Sequence, residues 1–215
     1  YRNNSLTSEP PVMAVTAEFH FDFGSPNAYL SHRIIPQIEA RTGIAIAYVP
    51  VLLGGVFKAT NNRSPMEAFA GIDNKQAFFR LETERFLKRH AITNYVRNPH
   101  FPVNTLLIMR GACVAADEGR LAAYVDAVYR CMWEQGLKMD DPAVAAQALS
   151  DAGFDGPALL ARTQEPEIKA ALVANTEASV KRGCFGSPTF FVGDEMYFGK
   201  DQLRDFEEAI LAAKG

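Results

Sequence analysis

The chain has 215 residues, 48% hydrophobic and 22% charged, with 22 basic against 25 acidic side chains for a formal net charge of −3. Fifteen Phe, seven Tyr and one Trp supply enough apolar surface for a sizeable core, which excludes intrinsic disorder and a disulfide-dependent small scaffold. A pI near 5.8 without a Lys/Arg block argues against nucleic acid or an anionic membrane as partner, and no apolar run approaches the ~20 residues that span a bilayer.

In chain order, Tyr1 to Val12 are polar and proline-bearing and precede Met13; residues 1–13 are read as an upstream extension outside the fold. Ala17, Phe19, Phe21 and Phe23 then alternate as a strand requires. Gly24-Ser25-Pro26 ends it, with Ser25 as N-cap and Pro26 at the first position of a helix predicted over Pro26 to Ala40, kinked or shortened by Pro36. Beyond Gly43, Ile44 to Val51 reads as a buried second strand. Strand, helix, strand at this spacing is a βαβ unit with parallel strands.

After a break at Gly54-Gly55 the pattern turns helical. Helices are predicted at Pro65 to Arg89, Thr105 to Asp117, Pro142 to Ala152 and Pro166 to Arg182, with Pro65, Asn104, Pro142 and Pro166 as starts and Gly153, Gly156 and Gly183 as stops. The clearest period is Leu121, Tyr124, Val125, Val128, Tyr129, Met132 and Trp133. Thr189 to Val192, Gly193-Asp194 and Glu195 to Phe198 read as a hairpin, and Leu203, Phe206, Ile210 and Leu211 as one face of a last helix. This order predicts an α/β, thioredoxin-like fold with a large all-helical insertion: residues 14–60 and 166–215 form the thioredoxin-like domain and 61–165 the insertion.

Ser25 stands where a strand meets a helix N-terminus, a point that favours anions. A lone hydroxyl is a weak nucleophile without an adjacent base, and His20, His32, His90 or His100 can approach it only through the fold. Ser25 therefore reads either as a plain helix cap or as a hydrogen-bond donor to a bound thiolate, whose pKa a helix N-terminus lowers. The C-x-x-C positions hold Ser25 and Ala28, so dithiol exchange at this site is excluded.

In Ser187-Pro188-Thr189 the proline is either an ordinary trans turn residue or a cis one that opens the Ser187 backbone to an extended ligand. Lys200 and Asp201 are either cap residues of the last helix or receptors for an α-amino acid head group. Lys58 and Asn62 are loop polar residues or ligands of a carboxylate and a peptide group. Cys113, Cys131 and Cys184 form no C-x-x-C and no zinc pair, so a reducing, cytoplasmic setting and no metal are expected. Cys184 is either a core residue or close to the site.

Asp22-Phe23-Gly24-Ser25-Pro26-Asn27-Ala28-Tyr29-Leu30, Leu53-Gly54-Gly55-Val56-Phe57-Lys58 through Asn62-Arg63-Ser64-Pro65, Phe101-Pro102-Val103-Asn104-Thr105-Leu106, and Phe185 to Val192 with Phe198-Gly199-Lys200-Asp201 together resemble the 2-hydroxychromene-2-carboxylate isomerase family, relatives of the kappa-class glutathione transferases. The resemblance implies a DsbA-like thioredoxin fold, a homodimer and bound glutathione as cofactor. By position it implies that Ser25 holds the glutathione sulfur, with Pro26 and Asn27 beside it. It places Lys58, Asn62, Ser187 and Pro188 on the peptide, Lys200 and Asp201 at the γ-glutamyl end, and Asn104 at the substrate pocket. Asn27 replaces the tyrosine of the kappa transferases, which points to the isomerase branch; Asn61 and Ser187 depart from the glycine and the aliphatic residue usual at those positions.

The function so implied is reversible addition of the glutathione thiolate to a small unsaturated aromatic carboxylate, with isomerisation. Its rivals are a kappa-like transferase or peroxidase, a non-catalytic glutathione- or peptide-binding protein, and a serine hydrolase built on Ser25 and a histidine.

Overall fold

The computed structural model describes residues 15–214; the expected extension at residues 1–13 lies outside them. Strands β1 (Ala17–Phe21), β2 (Ile46–Pro50), β3 (Thr189–Val192) and β4 (Glu195–Phe198) form one sheet in the order β2-β1-β3-β4. β1 runs parallel to β2, while β3 is antiparallel to both β1 and β4. A parallel pair needs a crossover, and here it is made by α1 (Pro26–His32) and α2 (Ile35–Thr42).

Two helices stand where one was expected over Pro26 to Ala40. Pro36 occupies the first turn of α2, so its missing N–H costs nothing there, and the chain breaks before it at Arg33-Ile34. Gly54-Gly55 proves not to be a break: both lie inside α3 (Leu53–Thr60), which also turns Lys58 from a loop residue into a helical one. Asn61 ends α3 at φ 53°, a left-handed cap that Asn tolerates nearly as well as Gly.

The helix expected over Pro65 to Arg89 is also two, α4 (Pro65–Ala68) and α5 (Asp73–Arg89), divided at Gly71 with φ 79°. There follow α6 (Leu106–Asp117), α7 (Leu121–Trp133), α8 (Pro142–Asp151), α9 (Gly156–Arg162) and α10 (Pro166–Lys181). Gly156, expected as a stop, is the first residue of α9: a Cβ there would collide with the Ala146 carbonyl oxygen, so only glycine permits the α8–α9 contact. A 3₁₀ turn at Lys200–Gln202 precedes the last helix, α11 (Leu203–Lys214).

These elements make a thioredoxin-like fold with a helical insertion. One sheet face buries Phe19, Phe21 and Phe190, with Phe19 and Phe190 stacked at 5.2 Å and Phe206 of α11 against Phe190 at 4.8 Å. The opposite face carries His20 and Phe191 toward α10. The insertion grips the end of β1 directly. Trp133 Nε1 donates to the Phe23 carbonyl at 2.8 Å, Tyr129 packs on Phe23 at 4.9 Å, and the Phe23 N–H meets Met109 Sδ at 3.5 Å. The segment that follows β1 is therefore held by α6 and α7 of the helical insertion.

Candidate functional site

Asp22 to Pro26 leaves the sheet and enters α1 in one tight turn. Ser25 has extended angles, φ −91° and ψ 115°, and its Oγ accepts the Ala28 N–H at 3.2 Å, so it caps α1 with Pro26 in the first turn. The same hydroxyl donates to the Ser187 carbonyl at 2.9 Å. The Ser187–Pro188 bond is cis, and Ser187 Oγ accepts the Asp22 N–H at 3.1 Å. Two serines 162 residues apart in sequence thus share one hydrogen-bonded turn.

The other expected residues gather unequally around this turn. Asn27 is exposed on α1 beside it. Asn62 lies just past α3 and donates its Nδ2 to the Phe185 carbonyl at 2.8 Å, two residues before Ser187. Lys58 stands one helical turn earlier, exposed. Asn104 accepts the Leu106 N–H at 3.0 Å and adjoins Thr105, whose methyl would lie 3.1 Å from a Cβ built on Gly24. The insertion therefore reaches the turn through Thr105, with Asn104 exposed beside it.

Lys200 and Asp201 behave differently from the expectation. The Gly199 N–H donates to the Pro188 carbonyl at 2.9 Å, which brings the segment next to the cis proline. Yet Lys200 is buried, with its ammonium on Asp201 Oδ1 at 2.6 Å and 5.2 Å from the centroid of the Phe86 ring. It lines a cavity of about 330 Å³ between α2, α5 and α11 together with Arg89 and His90. Asp201 does not cap α11, which begins two residues later, after the 3₁₀ turn. Its carboxylate is engaged by Lys200, so receiving an ammonium group from outside means sharing it.

The histidines settle elsewhere. His20 Nδ1 meets Ser179 Oγ and its Nε2 meets Glu18 Oε2, both at 2.8 Å; His32 Nδ1 meets the Tyr48 hydroxyl at 2.8 Å; His90 packs on Phe86. Among the described residues the Ser25 hydroxyl bonds only to the Ser187 carbonyl and the Ala28 N–H. A base-activated serine needs a base in hydrogen-bond reach, so this geometry does not support the hydrolase reading. Cys184 is fully buried, its Sγ 3.1 Å from the Gly186 carbonyl, as a core thiol.

Two features of the site went unnoticed in the sequence. Asp22 is fully buried, and its carboxylate accepts the Gly24 N–H at 2.8 Å, the Leu53 N–H at 2.7 Å and a hydrogen bond from Thr105. Burial pushes its pKa above the ordinary carboxylate value, against the pull of those three donors. One side chain so ties the Ser25 turn to the start of α3 and to the insertion. The signal was available: an acid between Phe21 and Phe23 in an otherwise apolar strand end needs several partners to be buried. The second feature is the pair Phe185 and Phe198, centroids 4.4 Å apart and both exposed, flanking Gly186 and Ser187. Gly186 makes room for it, since a Cβ there would lie 2.8 Å from the Phe198 ring.

Known proteins share both this fold and much of this sequence. The family model of the DSBA-like thioredoxin domain matches residues 16–211. A 2-hydroxychromene-2-carboxylate isomerase from Pseudomonas putida is 27% identical over 195 residues, covering 90% of this chain and 93% of its own length. A solved structure of a 2-hydroxychromene-2-carboxylate isomerase is similar at a TM-score of 0.78 and 27% identity, over 91% of this chain and 94% of that one. A local match of 37% identity over 49 residues, 22% of each chain, is to glutathione S-transferase kappa 1 of Caenorhabditis elegans.

Proposed function

The chain belongs to the DSBA-like thioredoxin domain family, and on that premise we propose that it is a glutathione-dependent isomerase of a 2-hydroxychromene-2-carboxylate or a like unsaturated aromatic carboxylate. The observation that carries this reading is the Ser25 hydroxyl, held 2.9 Å from the Ser187 carbonyl at the end of β1, where a thiol-exchanging member of this fold needs a cysteine. The site keeps the architecture for handling sulfur and lacks the sulfur itself. Similarity to named isomerases along nine-tenths of the chain supports the reaction class.

The chain's own groups fit glutathione in kind. Ser25 offers a hydroxyl that can turn from the Ser187 carbonyl to a thiolate, and Ser187 an adjacent main-chain edge. Asn62 and Lys58 offer an amide and a cation, and Asp201 a carboxylate. Bound glutathione would supply a thiolate that adds to the substrate's unsaturated carbon and departs unchanged. In this reading Ser25 stabilises the anion by hydrogen bonding, and Asp22 fixes the turn that aims it. Phe185 and Phe198 give planar rings an exposed aromatic surface next to the site. No helix among the described residues is long and apolar enough to cross a membrane. The three cysteines are free and buried, which supports a reducing, cytoplasmic place of action.

The test is turnover of hydroxychromene carboxylate with and without glutathione, with total thiol measured throughout. Isomerisation that requires glutathione and leaves thiol constant is expected; full rate without glutathione would overturn the reading. Stoichiometric loss of thiol to an electrophile would favour the transferase alternative, to which the local likeness to a kappa transferase lends support.

A further inference from the structure

Away from the Ser25 turn, α2, α5 and α11 enclose the cavity of about 330 Å³ that Lys200 lines. Ligand pockets begin at about 300 Å³, and an apolar cavity of about 150 Å³ already holds benzene. None of Ser25, Asn27, Lys58, Asn62, Ser187 and Pro188 borders it, so it is a second space, separate from that turn. Its apolar wall draws on all three helices: Ile34 and Ile38 at α2, Phe86 of α5 and Leu203 of α11, each buried.

The polar wall is unevenly charged. Arg41 is neutralised by Glu207 through hydrogen bonds of 2.6 and 2.7 Å, and Arg204 pairs with Asp205 and Glu208. Lys200 is different. Its side chain is 4% exposed while that of its partner Asp201 is 65% exposed, so the cation lies inside and the anion outside. An ammonium carries three N–H donors; Asp201 Oδ1 and Oδ2, at 2.6 and 2.8 Å, take at most two of them. Among the described residues the third has no acceptor, and a buried donor left without one is costly. Arg89, at the end of α5, lines the same cavity and makes no ion pair among the described residues. His90 reports the field these cations make: burial holds its pKa below the ordinary 6.5, and Arg89 and Arg41 push it further down.

We propose that this cavity binds a small carboxylate with a ring-sized apolar body, its charge paired with Lys200 and Arg89 and its ring against Ile34, Ile38, Phe86 and Leu203. A carboxylate supplies the acceptor that Lys200 lacks and a planar pair of oxygens for the Arg89 guanidinium. The ring takes the apolar wall out of water. An inorganic anion would satisfy the cations and leave that wall wet, and a neutral ring would do the reverse. The site goes beyond the proposed function, since it stands whether or not glutathione binds at Ser25.

The test is a nuclear magnetic resonance titration of the full chain with benzoate, without glutathione, following the Ile34 and Ile38 methyl groups and the His90 ring. Saturable shifts at these residues are expected. Benzyl alcohol and inorganic phosphate should each bind at least about tenfold more weakly, because each lacks one half of the fit. Arg89→Ala and Lys200→Met each remove one charge-assisted bond and should weaken benzoate by about tenfold or more; circular dichroism checks that both remain folded. Ser25→Ala, at the other site, should leave the benzoate affinity unchanged. Bound benzoate should also raise the pKa of His90 by offsetting Arg89 and Arg41. Five results would each overturn the inference: no saturable shift at these residues, phosphate or benzyl alcohol matching benzoate, an affinity unchanged in either cavity variant, an affinity lost with Ser25→Ala, or a His90 titration that benzoate leaves in place. Glutathione titration of the same protein is a separate readout whose failure bears only on the proposed function.

Discussion

Ser25 answers to two descriptions, helix cap and thiolate donor, and substitution separates them. Ser25→Ala deletes the bond from the Ala28 N–H and the bond to the Ser187 carbonyl. Loss of a Ser cap costs about 1 kcal/mol, and a carbonyl stripped of its neutral donor about 1 kcal/mol more. Together these lower the melting temperature by about 4–8 °C for a chain of this size. Ser25→Gly restores most of the cap, within a few tenths of a kcal/mol, without restoring the hydroxyl. If Ser25 also donates to a bound thiolate, both variants lose a charge-assisted bond of about 1.5–3 kcal/mol, which raises the pKa of the bound thiol by about one to two. The assay is thiolate ultraviolet absorbance of bound glutathione against pH, run beside thermal melts on all three proteins. Melting temperatures that drop while the thiolate titration stays at its wild-type position would refute the donor role and leave Ser25 a cap alone.

Four further outcomes are expected. Burial holds the His20 pKa below its ordinary 6.5, against the opposing pull of Glu18, so the unfolded chain binds the extra proton first. The stability this histidine contributes is then complete above about pH 6.5 and lost as pH falls below it; denaturant midpoints for His20→Gln should be flatter than wild type over this range, and parallel curves would contradict the assignment. Asp22→Asn turns an amide N–H₂ toward the Gly24 or Leu53 N–H and should cost about 1–3 kcal/mol at neutral pH. Because the raised Asp22 pKa makes the native state the stronger proton binder, its unfavourable effect grows as pH rises above 3.8, and that slope should vanish in the variant. Gly156→Ala drives a Cβ into the Ala146 carbonyl and should destabilise by about 1–3 kcal/mol, with an unchanged urea midpoint as the contrary result. Cys113, whose thiol burial pushes up to about 11, and the buried Cys131 and Cys184 should resist a thiol reagent in the native state and all react in denaturant; rapid labelling of any one would contradict its burial.

Local signals carried the fold class. Alternation at Phe19, Phe21 and Phe23, the Ser25-Pro26 helix start and the hairpin around Gly193-Asp194 all stand in the structure where their patterns put them. Each follows from backbone stereochemistry and side-chain period within a few residues. Where local rules failed, a tertiary contact had overridden them. Gly54 and Gly55 read as a break, yet α3 forms through them because its first N–H is taken by Asp22 and Leu52 is fixed by Thr176 of α10. Gly156 read as a stop because glycine ends helices, whereas here its bareness admits α8.

The site divides along the same line. Sequence alone determined that Ser25 caps a helix at the end of a strand and that no cysteine stands at the exchange positions, since both are matters of residue type and short-range geometry. Only the tertiary structure decided that Ser25 meets Ser187 across the sheet, that no histidine reaches its hydroxyl, and that Asp22 lies buried as their common anchor. It also decided that Lys200 spends its charge on Asp201 beneath α5. Those are relations between segments up to 162 residues apart. No local period encodes them, because they arise only when apolar burial brings the segments together and every polar group carried inside must find a partner.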